Sequence, residues 1–145
     1  MGSFVESLKD PARRRLMVDA GVKVIEAEVS EKGGLSGLAI KGAFRIVQGV
    51  KPGFVPMALN HLIDDFAAKI DPFWIDCQDK KEEPRAYFTR RGVEVADSLL
   101  GITDERARSG RGPARTAYER LRPEGLKHVT AAMPRLADLC KQFAN

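Results

Sequence analysis

Residues 126–143, LKHVTAAMPRLADLCKQF, carry the clearest periodicity in the chain. Leu126, Val129, Met133, Leu136, Cys140 and Phe143 recur at spacings of 3, 4, 3, 4 and 3. That period lays apolar side chains along one face of an α-helix; a strand would scatter them over both faces. Pro134 falls inside the pattern and has no N–H to donate, so it predicts a kink or a restart. The sustained 3–4 spacing is also that of a coiled-coil seam, which makes a homodimer a candidate assembly.

The same period recurs upstream. Asp10-Pro11 reads as an N-cap followed by proline at the first helical position. Val18, Val22, Ile25 and Val29 then follow as one stripe, and Gly33-Gly34 ends it. Residues 35–50 are apolar on most sides, with Lys41 and Arg45 as their only charges. A helix of that kind is buried on most sides, so this segment is expected to be the central helix. Lys51-Pro52-Gly53 is a turn, and Val55, Leu59, Leu62 and Phe66 continue the period beyond it. Asp71-Pro72 reads as a fresh cap and restart before the only tryptophan, Trp74, which is expected to plug one end of the core. A helix over about 85–101 and a short one over about 114–121 flank the flexible Ser109-Gly110-Arg111-Gly112-Pro113. No segment alternates apolar and polar residues long enough for a strand. The expectation is an all-α fold: one bundle-like domain over 1–145, with five to six helices around a buried central one.

Composition narrows the function classes. The chain has 145 residues, 43% hydrophobic and 30% charged, which excludes wholesale disorder and a collagen-like repeat. No apolar run is long enough to span a bilayer, and no apolar leader is visible, so a cytoplasmic protein without membrane attachment is expected. Cys77 and Cys140 stand far apart among apolar neighbours and read as two buried thiols in a reducing compartment.

Candidate chemistry is sparse. Gly33-Gly34-Leu35-Ser36-Gly37 opens a helix, where free N–H groups attract anions; Lys32, Ser36, Lys41 and Arg45 are the candidate anion-binding residues. A cap and tight turn is the plainer reading of the same glycines. His61 and Asp65 share a helix face and are expected to form a surface ion pair. No metal-ligand spacing, nucleophile motif or dinucleotide fingerprint occurs, so no metal, cofactor or catalytic residue is assigned. Charge is uneven: residues 1–84 carry 12 Lys/Arg against 13 Asp/Glu, and residues 85–145 carry 12 against 7. The excess is mostly arginine, so nucleic acid or another anionic ligand is a candidate partner through residues 85–122. Arg106, Arg108, Arg111 and Arg115 are the candidate contacts, although few aromatics are interleaved for stacking.

Several stretches resemble a family of short bacterial proteins of unknown function. They are residues 32–41 (KGGLSGLAIK), 50–55 (VKPGFV), 70–73 (IDPF), 95–108 (VADSLLGITDERAR) and 117–123 (AYERLRP). The resemblance implies a small helical domain and supplies no activity. The sequence therefore points to a non-enzymatic binding or self-association module. Nucleic-acid or anion binding through the arginine-rich stretch, and an enzyme with a pocket around the 35–50 helix, are the alternatives.

Overall fold

A computed structural model describes residues 2–144, and these are helical nearly throughout. The helices are α1 (Phe4–Ser7), α2 (Pro11–Glu31), α3 (Gly34–Gln48), α4 (Phe54–Asp79), α5 (Pro84–Arg90), α6 (Gly92–Ser109), α7 (Pro113–Leu121), α8 (Gly125–Ala131) and α9 (Met133–Phe143). A 3-10 turn (Arg122–Glu124) joins α7 to α8. The all-α class stands, and the expected five to six helices do not. Among the described residues there are nine α-helical segments, the first a single turn, leaving eight longer ones.

Local chemistry explains both the matches and the misses. Asp10 caps α2 by accepting from the Ala12 N–H at 3.1 Å, with Pro11 behind it. The α2–α3 corner needs its glycines. Gly34 has φ +68, and a Cβ on Gly37 would sit 2.6 Å from the Lys32 carbonyl carbon. Two breaks fall where the apolar period runs on undisturbed. Arg91, at φ −95 and ψ 13, separates α5 from α6, so the helix expected over 85–101 is two. Ala132 separates α8 from α9, and Pro134 lies in the first turn of α9, so the proline marks a restart.

The Asp71-Pro72 restart is overturned. Helix α4 runs through Pro72 without ending. Asp71 caps a different helix: its carboxylate accepts from the N–H groups of Phe4 at 2.8 Å and Val5 at 3.1 Å, at the start of α1. It is the one charged side chain among the buried residues described, and these bonds satisfy it.

The central helix is α4, not α3. Helix α4 buries Ile63, Ala67, Ile70, Asp71, Trp74 and Cys77 and packs against α1, α2, α3 and α6. Helix α3 buries only Gly37, Ile40 and Ala43, while Leu35 and Leu38 are 87% and 69% exposed. Apolar residues on all sides of α3 did not translate into burial on all sides, because its chief neighbour is the short helix α7 on one face.

The main core joins α1, α2, α4, α5, α6 and α9. Tyr87 and Phe88 are fully buried and meet edge to face at 5.4 Å. The Trp74 indole is buried in this core and its N–H donates to the Ala144 carbonyl at 3.2 Å. The Phe143 carbonyl accepts from the Ser7 hydroxyl and, at 3.0 Å, from Arg13. These donors satisfy carbonyls that the end of α9 leaves open. Within the 126–143 row, Met133, Cys140 and Phe143 are buried in the chain itself, and Leu126 is exposed. Val129 and Leu136 pack against the core from partly buried positions, so all of the seam but Leu126 makes contacts within the chain.

An apolar chamber as the candidate functional site

Helices α3 and α7 pack on each other at one side of the molecule. Their buried residues Ile40, Ala43 and Ala117 do not join the main core. Between this pair and the core lies a chamber of about 470 Å3. Helix α2 contributes Val24, Ile25 and Val29, α6 contributes Leu99 and Leu100, and Leu121 and Val129 close it from α7 and α8. Nearly all the surface facing the chamber is apolar.

Glu28, Lys32, His128, Thr103, Tyr118 and Arg122 also border it, and they fall into two bonded groups whose polar atoms scarcely face the space. In the first, the hydroxyl of Ser36, which is not itself a lining residue, lies 3.3 Å from Nε2 of His128. Lys32 is beside them, and its ammonium meets Glu28 at 3.4 Å. Glu28 also pairs closely with Arg135, which reaches on to Glu31. Lys32 and Glu28 are well covered, with side chains 16% and 14% exposed. Burial pushes the His128 imidazole below its ordinary value, the positive charges of Lys32 and Lys127 push the same way, and Glu124 opposes them. Neutral imidazole is therefore the favoured form at neutral pH.

The second group gathers around Tyr118, which lines the chamber with Thr103 and Arg122. The Tyr118 hydroxyl donates to Asp104, and Thr103 lies 2.7 Å from it as the partner on its other side. Arg122 holds Asp104 with two bonds of 2.8 and 3.1 Å. Those bonds, with Tyr118 assisting, hold the Asp104 carboxyl below the usual carboxylate range. Burial, reinforced by Asp104, pushes the Tyr118 phenol up. The far side of this cluster borders an open surface cleft that also includes Arg108 and Arg115.

The residues singled out by sequence meet different fates. Lys32 lines the chamber with His128, and Ser36 meets His128 from outside the lining. Lys41 and Arg45 lie further along α3 and make no ion pair or side-chain hydrogen bond among the described residues, so the four do not form one cluster. Arg106 donates to the His61 carbonyl at 3.2 Å and approaches Asp65 at 3.7 Å. Asp65 therefore faces Arg106, and the His61–Asp65 pair expected from their spacing is not formed. Arg108 pairs with Glu105 and Arg115 with Glu119, each within one turn of helix. Arg111 stands exposed in the loop between α6 and α7. Cys77 and Cys140 are free and buried, as their apolar neighbours suggested. Burial pushes both thiols up, away from the reactive thiolate.

His128, Tyr118, Thr103 and Arg122 were not singled out for this role by sequence. Ser36 and His128 are 92 residues apart, and no local spacing connects them. No helix of the described residues is long and apolar enough to cross a membrane.

The described residues form an all-helical protein with an apolar pocket between its helices. The chain belongs to a family of unknown function, DUF6918, whose model matches residues 4–144. No curated protein and no solved structure matches it.

Proposed function

We propose that the protein is a binding module that takes a small, mainly apolar molecule into the chamber between α2, α6, α7 and α8. One observation carries this reading: a space of about 470 Å3 whose exposed walls are apolar almost throughout. Ligand sites commonly have this size and this composition. An empty apolar cavity costs stability, so an occupant gives the space a reason to exist. The arginines of 106–115 support the nucleic-acid alternative less, because Arg106, Arg108 and Arg115 already face carboxylates.

The test is a titration with 1-anilinonaphthalene-8-sulfonate, followed by displacement with apolar compounds. Saturable uptake by the folded chain is expected, weakened at least tenfold by Val29→Phe or Leu121→Trp with no fall in the unfolding midpoint. A folded protein that takes up no probe, and whose unfolding midpoint no apolar compound shifts, sinks the proposal.

A second reading rests on the Ser36–His128 contact. A hydroxyl next to an imidazole kept neutral by burial is the arrangement of a nucleophile and its base. Ser36 Oγ would attack an ester carbonyl while His128 takes its proton. The alcohol would leave with that proton, and water would then release the acid. The reading ranks second because no carboxylate bonds the other ring nitrogen among the described residues. Hydrolysis of a p-nitrophenyl ester that falls at least tenfold in Ser36→Ala supports it, and equal rates in the two proteins discard it.

A further inference from the structure

Helix α3 turns Gly37, Ile40 and Ala43 into the molecule. Its opposite face is apolar as well, and the described residues leave it open. Leu35, Ala39, Gly42 and Ile46 run along that face at spacings of 4, 3 and 4, with Leu38 beside them, and all five are exposed. Val50 stands exposed just beyond the helix. The other large apolar side chains exposed among the described residues stand singly on separate helices, so the gathering on α3 is a patch.

The charge around this patch has one sign. No aspartate or glutamate occurs between Glu31 and Asp64. Leu38, Lys41 and Arg45 follow one another at 3 and 4 along one edge of the face, and the other edge carries no charge. Lys41, Arg45 and Lys51 meet no carboxylate among the described residues. The arginines of α6 and α7 that face carboxylates offer a contrast.

The middle of the face is low. A Cβ on Gly42 would meet nothing within 4 Å, so packing inside the chain gives no reason for a glycine there. Glycine weakens a helix interior. A backbone that approaches closely from outside supplies the reason, with Leu35 and Leu38 rising on one side of the dip and Ile46 on the other. A bilayer surface gains nothing from Ala39 and Gly42, since insertion rewards bulky side chains. Packing α3 against its own copy, parallel or antiparallel, would leave Lys41 and Arg45 without a carboxylate.

We propose that the outer face of α3 docks an acidic amphipathic helix of a partner protein. That helix carries an apolar stripe at i, i+3 or i+4, and i+7, which seats over Ala39 and Gly42. Along one edge it carries two carboxylates one turn apart, which meet Lys41 and Arg45 and set its direction.

The probe is a labelled synthetic helix of about 20 residues with a leucine stripe and glutamates along one edge, and its control has lysines in place of the glutamates. Fluorescence anisotropy measures both against the full chain. The acidic helix is expected to bind at least tenfold tighter than the basic one. Gly42→Leu fills the dip and should cost at least tenfold in affinity, while the unfolding midpoint holds or rises because leucine favours a helix over glycine. Leu38→Ser repeats that test from a side chain the fold does not use. Lys41→Glu with Arg45→Glu should reverse the preference between the two helices. Equal binding of the two by the wild type overturns the proposal, as does binding of neither, or an affinity unmoved by Gly42→Leu and Leu38→Ser. Sedimentation with phosphatidylglycerol vesicles that Leu38→Ser abolishes, without uptake of the acidic helix, would make a bilayer the occupant instead. A dimer in sedimentation equilibrium that Gly42→Leu dissociates would make it a second copy.

Discussion

Two Tyr–Asp–Arg clusters sit in different parts of this molecule and serve different ends. At the α4–α5 corner, the Tyr87 hydroxyl donates to Asp76 at 2.7 Å, and Arg91 reaches both the carboxylate and the Tyr87 ring. Tyr87 is fully buried there, beside an equally buried Phe88. At the α6–α7 side, Tyr118 again donates to an aspartate, Asp104, which Arg122 holds with two bonds, but one face of the cluster looks into the chamber and the other borders an open cleft. The same polar chemistry locks a packed corner in one place and props a wall in the other. What differs is the apolar environment: α5 and α9 pack tightly, whereas α3 and α7 enclose space.

Truncations on the two sides should separate that contrast. Phe88→Ala removes a fully buried ring from the packed corner and should cost about 3–5 kcal/mol, read by urea unfolding. Leu121→Ala, on the chamber wall, should cost about 1 kcal/mol, because that side chain already has open space on one side. Equal losses at the two positions would break the contrast. Asp71→Ala leaves the Phe4 and Val5 N–H groups without acceptors and should cost about 1.5–3 kcal/mol. That places α1 with the packed side.

The pH dependence sharpens the picture from the chamber side. His128 titrates below its unfolded value of about 6.5, so as pH falls through that value the unfolded chain takes up the proton first. Its contribution to stability is therefore intact above about pH 6.5 and is lost as pH drops toward the lowered folded value. The unfolding midpoint should fall between pH 7.5 and pH 5, and His128→Gln should flatten that part of the profile. A profile unchanged by the substitution would show that the imidazole is not held neutral by the fold. The smallest effect belongs to the outer face of α3. Leu38→Ser, at a position 69% exposed, should change stability by less than about 0.5 kcal/mol.

Much of this architecture was legible wherever the deciding chemistry was local. The start of α2 follows from Asp10-Pro11, and its end from Gly33-Gly34. The restart at α9 was legible from Pro134, but the break at Arg91 was not, because the apolar row continues across it and a one-residue change of backbone leaves no mark in spacing. Asp71-Pro72 misled for a physical reason. An Asp-Pro pair is good cap chemistry, but here the carboxylate serves a helix 67 residues upstream. Helix α3 misled in the opposite way: hydrophobicity shows what could be buried, and only the neighbouring elements decide what is. The chamber was invisible for the same reason. Periodicity places Val29, Leu99, Leu121 and Val129 inward without showing whether they meet one another or a void. The pairing of Ser36 with His128 depends on the turn at Gly34 and Gly37 folding α3 back along α2.

The attachment of α1 has a kinetic consequence. Four residues are too few to hold a helix in isolation, since nucleation alone is unfavourable. The N–H groups of Phe4 and Val5 find their acceptor on Asp71, and Ser7 finds its own on Phe143, 136 residues away. This turn can form only after the middle and the end of the chain have come together, so it docks late and is released early. Hydrogen exchange at the Phe4 and Val5 amides then becomes a clock for the completed assembly, started by α4 and stopped by the closing of α9.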